Sequence, residues 1–457
     1  MSADYEAFIA SKSLCAAPVG LEALDVPAWV FPHQAALVRW ALRKGRSAVF
    51  ADTGLGKTGI ELVWAHNVAQ HARGRVLILA PLAVAHQIER EGETFGIPCP
   101  YARVDNGAPV VVTNYEMLHA FDPRAFVGVV LDESGILKSF DGATRSALIA
   151  AFGSTPYRLC ATATPAPNDF TELGNHSEFL GIKSRAEMLA EYFVHDGSST
   201  QDWRIKGHAV LPFWRWVASW GAVVKSPEDL GFDGSAYQLP PLEMHEHVVH
   251  EELEDAHASG LLFPEDARSL SDQRRVRRAT MGKRVAMAVD LSAGAEPCIV
   301  WCELNDEADA CERAIEGSVQ VSGSDSADEK VRKLLAFLNG EKRVLVSKAQ
   351  IVGFGINMQV CARMVFVGAS HSYEQTYQAI RRCWRFGQKR PVDVHVIRAD
   401  TERFVIENYR RKEADAARLA VALRDLVGVH VRNEVVGASA REWNAYAPLK
   451  VEVPSWL

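Results

Sequence analysis

Ala51-Asp52-Thr53-Gly54-Leu55-Gly56-Lys57-Thr58 lies between a short apolar run, Ala48-Val49-Phe50, and a stretch of helix-forming residues over 60–69. A strand, a glycine loop and a helix in that order form a cradle for phosphate. Glycines let backbone N–H groups crowd the anion, a lysine reaches the β- and γ-phosphates, a hydroxyl faces Mg²⁺, and the helix N-terminus favours negative charge. Thr53, Gly54, Gly56, Lys57 and Thr58 are the candidate nucleotide ligands, with Thr58 also a candidate for the metal. Ala51 stands where the general pattern has its first glycine. A chance G-x-G-K-T turn is the competing reading, and the flanking strand and helix argue against it.

Outward from that loop, apolar runs at 47–50, 76–80, 110–112, 127–131 and 157–161 alternate with helical stretches, and each run ends in small or polar residues. This predicts a parallel α/β sheet whose strand ends converge on one ligand. A second series, 299–302, 319–321, 344–347, 365–367 and 392–397, predicts another such sheet without a phosphate loop of its own. Ser324-Asp325 offers an N-cap, and Gly340 a stop, for a helix over 327–339. The span 183–290 breaks the rhythm with Trp203, Trp214, Trp216, Trp220 and Pro240-Pro241, and reads as a mainly helical insertion and linker. The expected division is an N-terminal extension over 1–30, a first lobe over 31–182, the insertion over 183–290, a second lobe over 291–430 and a tail over 431–457. Aromatics at helical spacing usually pack inward, so the tryptophans are expected in the core rather than as base-stacking platforms.

The chain has 457 residues, enough for two or three domains, and a net charge of −7, so nucleic acid would have to be met by a local basic groove. Eight scattered cysteines show no C-x-x-C pair and read as reduced thiols. The start, Met1-Ser2-Ala3-Asp4-Tyr5-Glu6, has no signal-peptide regions, and no apolar run approaches membrane-spanning length. A cytoplasmic protein without membrane contact is expected, in the host cytoplasm if viral.

Asp132-Glu133 follows Val129-Val130-Leu131 and so places two carboxylates at a strand end. One can hold Mg²⁺ through water, and the other can orient or deprotonate an attacking water. Farther on, Arg382 and Arg385 are spaced i, i+3 on a predicted helix and point the same way. A guanidinium reaching a γ-phosphate on the other lobe would stabilise transition-state charge, whereas Arg381 reads as a solvated or phosphate-backbone contact.

With these residues in place the chain resembles superfamily 2 helicases and translocases, and within them the Swi/Snf chromatin-remodeller-like branch, in a compact bacterial or bacteriophage form. Phe31-Pro32-His33-Gln34 is similar to the adenine-reading glutamine motif, residues 51–58 to the first ATPase motif and Leu79-Ala80-Pro81-Leu82 to the next. Thr113-Asn114-Tyr115-Glu116 resembles a nucleic-acid-contacting motif, Asp132-Glu133-Ser134-Gly135 the acidic box and Thr162-Ala163-Thr164-Pro165 the coupling motif. In the second lobe Gly353-Phe354-Gly355-Ile356-Asn357-Met358 is similar to the branch's G-x-G-[LI]-N motif, and residues 378–388 to its Q-A-x-x-R-x-x-R-x-G-Q signature.

The resemblance implies two RecA-like lobes, each a mainly parallel sheet flanked by helices, with ATP and Mg²⁺ between them. Gln34 and Gly355 would help bind the nucleotide, Asp132 the metal and Glu133 the water, with Lys57, Arg382 and Arg385 completing catalysis. Thr113, Asn114, Thr162, Thr164, Asn357 and Gln388 would contact nucleic acid or couple it to the cleft. The implied activity is ATP-dependent movement along DNA, which the branch resemblance favours as double-stranded, without efficient strand separation. An unwinding helicase on RNA or branched DNA, or an ATP-switched binding module without sustained turnover, remain the alternatives. Replication, recombination or restriction-modification systems are the candidate partners.

Departures from the pattern matter. The acidic box ends in Ser134-Gly135 where the family more often has alanine and histidine, so no imidazole is offered there. Arg274, Arg275, Arg277, Arg278, Lys283 and Arg284 form the densest basic stretch, open to reading as a DNA-backbone contact or as a solvated face. His245, His247 and His250 alternate in an acidic segment without a further ligand in view, which disfavours a metal there.

Overall fold

A computed structural model describes residues 19–21, 25–138, 142–166, 169–195, 203–250, 276–352, 357–368, 373–402, 407, 410–411 and 431–436. Strands β1 (Arg46–Ala51), β2 (Val76–Ala80), β3 (Val110–Asn114), β4 (Gly128–Asp132) and β5 (Tyr157–Ala161) build the first lobe. β6 (Phe193–His195) and β7 (Trp203–Ile205) form a small antiparallel ribbon, and β8 (Gly221–Val224) joins the main sheet in the order β3-β2-β4-β5-β1-β8. All pairings within that sheet are parallel, as crossover helices on both faces require.

The second lobe contains β9 (Leu242–Val249), β10 (Cys298–Cys302), β11 (Ser318–Val321), β12 (Val344–Lys348), β13 (Arg363–Phe366) and β14 (Val392–Ala399). Their order is β11-β12-β10-β13-β14-β9, again entirely parallel. This is the pair of helix-flanked parallel sheets expected of RecA-like lobes. The central strands are buried on both sides, which is why they read as unbroken apolar runs such as Val76-Leu77-Ile78-Leu79 and Cys298-Ile299-Val300-Trp301.

The described residues of the span 183–290, expected as a mainly helical insertion and linker, are divided between the two lobes. Its first part supplies β6, β7 and β8 to the first lobe, and its last part supplies β9 and the helix Met281–Leu291 to the second. Residues 225–241 run from β8 of one sheet to β9 of the other. Trp214, Trp216 and Trp220 are buried in the first lobe's core beside Phe213 and Tyr192, as helical spacing suggests, and Trp203 packs half-buried at its edge.

The helix Ala327–Leu338 is present, but its cap is Ser326, whose hydroxyl accepts from Glu329 N. Asp325 instead accepts from Ser322 N and pairs with Lys333. The basic stretch is also reassigned: Arg277 and Arg284 are buried and both pair with Glu402, Arg284 at 2.7 Å. Arg278 is exposed, and Arg274 and Arg275 lie outside the described residues. No helix among the described residues is long and apolar enough to cross a membrane.

Candidate nucleotide and phosphate site in the inter-lobe cleft

A cavity of about 540 Å³ lies between the lobes, lined on one side by Gln34, Thr53, Gly54, Gly56, Lys57, Thr58, Asp132 and Glu133 and on the other by Asn357, Arg382, Arg385 and Phe386. The sheet builds the first wall directly. Val49 sits in register with Ala161 and Ala161 with Asp132, so the glycine loop after β1 and the carboxylates after β4 are separated by one strand, about 10 Å at the usual strand spacing.

Within the loop Gly54 has φ +93° and Gly56 φ +77°, both in the region glycine alone adopts readily. Space gives the same answer. A Cβ on Gly54 would meet the Phe386 backbone N at 2.9 Å, and one on Gly56 would meet Gln34 Nε2 at 2.1 Å. Gln34 is buried, with Nε2 donating to Leu55 O at 3.0 Å and Oε1 accepting from Phe31 N at 3.2 Å. The glutamine is thereby tied to the phosphate loop. Lys57 Nζ donates back to Ala51 O at 3.0 Å, and Thr58, in the first turn of the helix Lys57–His71, lies at the cavity wall.

Asp132 is buried at the end of β4, and Tyr115 OH donates to its backbone carbonyl at 2.6 Å. Burial, and then the adjacent Glu133 carboxylate, push Asp132 up to about 7. A third carboxylate, Glu61 on the helix Lys57–His71, is fully buried nearby. It is pushed well above the usual carboxylate range by burial and then by Asp132. Sequence reading missed it because a glutamate inside an apolar helix carries no motif. Glu133 has a left-handed φ of +51° and accepts from Thr162 Oγ1 at 3.3 Å. Thr162 Oγ1 in turn accepts from Thr164 N, and Gln378 Nε2 donates to Thr164 Oγ1 at 3.4 Å. Thr162 and Thr164 therefore link the acidic pair to the second lobe.

The acidic box has an imidazole after all. His176, from the helix Leu173–Leu180, places Nε2 3.2 Å from Ser134 Oγ, 42 residues away in sequence and edge-on to Phe50. Full burial pushes His176 down to about 4, so the ring is neutral at pH 7.

In the second lobe the helix Tyr373–Ile380 ends before the three arginines, which sit on the turn that follows. Arg382 is completely buried, and desolvation lowers it to about 10 against the opposing pull of Glu133. Arg385 Nε is buried without a hydrogen-bond partner among the described residues, and Arg385 lines the cavity. Arg381 is neither solvated nor free for a nucleic-acid backbone: Nε donates to Thr53 Oγ1 at 2.9 Å, Nη2 donates to Thr53 O at 2.8 Å, and Nη2 lies 3.0 Å from Asp52 Oδ2. Tyr377 OH donates to Asp52 Oδ1 at 2.9 Å. Asp52, Tyr377 and Arg381 thus form an inter-lobe clasp that sequence reading did not identify.

Other candidates fall elsewhere. Thr113 is fully buried, and Asn114 is held by Tyr101 OH and Glu116, so neither presents its side chain to the cavity. Gln388 spends its amide on backbone, donating to Gln359 O, Cys361 O and Cys383 O and accepting from Lys389 N and Arg390 N, which braces the turn around it. Asn357 is exposed at the cavity rim. Gly355 lies outside the described residues. The cavity also has aromatic walls, including Trp29 stacked on Phe95 and Tyr237 stacked on Phe386 at 4.4 Å.

The donor set suits a polyphosphate: a glycine cradle, one lysine and two arginines, one with an unpartnered nitrogen, face a carboxylate pair and a threonine hydroxyl of the kind that hold Mg²⁺. Residues 283–387 match the family described as helicase conserved C-terminal domain, a segment that ends with Arg382, Arg385 and Gly387. One solved structure similar to this chain is the Sulfolobus solfataricus SWI2/SNF2 ATPase core in complex with dsDNA. It is 16% identical, with 90% of this chain and 96% of that chain covered and a TM-score of 0.42. No curated protein matches the chain at a significant level.

Proposed function

We propose that the chain is an ATP-dependent DNA translocase that hydrolyses ATP in the inter-lobe cleft and moves along double-stranded DNA without efficient strand separation. The observation that carries this reading is Arg385, which lines from the second lobe the cavity that the glycine loop and Asp132-Glu133 line from the first, and whose buried Nε has no hydrogen-bond partner among the described residues. A desolvated guanidinium nitrogen without a partner is costly, and a γ-phosphate oxygen would satisfy it. The helicase C-terminal match over 283–387 supports the same assignment.

In this reading Gln34 holds adenine, the N–H groups of the glycine loop and Lys57 hold the phosphates, and Thr58 and Asp132 hold Mg²⁺. Bound Mg²⁺ would neutralise charge on the β- and γ-phosphates. Glu133 accepts a proton from the attacking water as the anhydride breaks to ADP and phosphate, while Arg382 and Arg385 stabilise charge on the transferring group. Thr162, Thr164 and Gln378 carry the state of Glu133 to the second lobe, where Asn357 sits at the cleft rim.

The test is phosphate release measured with duplex DNA, single-stranded DNA and RNA at two salt concentrations, together with displacement of a labelled strand from a forked duplex. Stimulation by duplex that weakens steeply with salt, and no fast ATP-driven displacement, is the expected result. Release that stays flat with every nucleic acid overturns the reading, and loss of turnover in Glu133→Gln excludes a mere nucleotide-switched binder.

A further inference from the structure

We propose that the outer edge of the second lobe carries a site for a divalent transition-metal ion, Zn²⁺ by its donor set, formed by Glu243 and His245 of β9 and Asp393 of β14. The parallel register sets Glu243 opposite Asp393 and His245 opposite His395. Alternate residues of a strand share a face, so these side chains, with His247, emerge together. His245 Nε2 lies 3.5 Å from Asp393 Oδ1 and 3.9 Å from Glu243 Oε2, and the three donor atoms fall within 4.8 Å of one another.

Those separations are close to what a small ion imposes. Tetrahedral bonds to zinc of about 2.0–2.2 Å hold neighbouring donors roughly 3.3–3.6 Å apart, so small rotations of half-exposed side chains close the set. Two carboxylates and a neutral imidazole bring a formal charge that balances a divalent cation. Imidazole nitrogen at the centre favours a borderline metal over Mg²⁺ or Ca²⁺, which select oxygen. Three protein ligands on an open face leave the fourth position to water.

A second, independent arrangement orients the nitrogen donor. His395 stacks on His245 with ring centres 4.8 Å apart, and its Nδ1 sits 3.1 Å from His247 Nε2. The His395 ring covers one face of His245. None of the three ligands lines the inter-lobe cavity, so the site is separate from the proposed reaction centre. An ion there would pin β9, the edge strand that the inter-lobe connection enters, to β14.

The experiment titrates metal-free full-length protein with ZnCl₂ by calorimetry and with CoCl₂ by visible absorption. One saturable equivalent is expected, with a tetrahedral Co²⁺ spectrum and no competition from excess MgCl₂. His245→Ala and Asp393→Asn should each weaken binding by at least about tenfold, a bound set by what even an outer partner of a ligand contributes. His250→Ala, which alters a residue paired with Asp400 outside the triad, should bind as the parent does. Absence of saturable uptake, or uptake unchanged in both triad variants, overturns the proposal. Should a variant misfold, the parent protein still decides: saturating Zn²⁺ must shield His245 from diethylpyrocarbonate, read by peptide mass spectrometry, and modification of His245 at the unprotected rate overturns the site.

Discussion

Arg381 of the second lobe and Asp52 of the first form an ion pair, Nη2 to Oδ2 at 3.0 Å, across the cleft. Asp52 immediately precedes the glycine loop and also takes the Tyr377 hydroxyl, so one carboxylate joins the phosphate-binding turn to the opposite lobe. Arg381→Ala and Asp52→Asn should each lower kcat/KM for ATP, and the double variant should lose less than the product of the two. The expected coupling is about 0.5–3 kcal/mol for a directly contacting pair. Additive losses would show that the pair does not act as a unit.

Arg385 is the cleft cation with the unpartnered nitrogen. Replacement by alanine should reduce kcat by about 10³-fold or more if its guanidinium stabilises the transferring phosphoryl group. ATP affinity, read by equilibrium binding, should change far less. A variant that keeps kcat within tenfold of the parent would remove Arg385 from that role.

Glu402 is fully buried between Arg277 and Arg284. Glu402→Gln leaves Arg284 buried without its counter-charge and should destabilise the second lobe by about 3–5 kcal/mol in denaturant unfolding. Replacing all three partners by apolar residues, Arg277→Met and Arg284→Met with Glu402→Leu, should recover much of that loss. Equal damage from the single and triple variants would contradict the pairing argument.

His176 gives the first lobe a definite response to acid. Its folded-state pKa of about 4 lies below the unfolded value of 6.5. Between the two the unfolded chain holds the extra proton, so this contribution is complete above pH 6.5 and is lost as pH falls toward 4. The full difference is worth roughly 3 kcal/mol. His176→Phe keeps a ring against Phe50 but cannot take a proton, and should lose less thermal stability than the parent between pH 7 and pH 5. Parallel losses in the two proteins would refute it.

Much of the fold was legible because buried parallel strands write themselves as apolar runs, and both series of five were read close to their observed bounds. β8 and β9 escaped for different reasons. Gly221-Ala222-Val223-Val224 is short and follows the tryptophans, whereas β9 is a half-exposed edge strand whose glutamates and histidines hide its period. The glycine loop and the acidic pair were legible because their chemistry is local in sequence. The clasp was not, because Arg381 and Thr53 are 328 residues apart and a lone arginine in a basic run gives no hint of an acidic mate. The ring beside Ser134 and the carboxylate opposite His245 were hidden for the same reason.

The short connection over 225–241 carries Tyr237, whose ring rests on Phe386 beside Arg385. Any hinge motion between the two sheets must therefore act on a segment that is itself part of the pocket wall. Separation of the halves would part that aromatic pair and open the chamber to solvent, so a substitution at Tyr237 or Phe386 would change the pocket wall and the seam between the halves together.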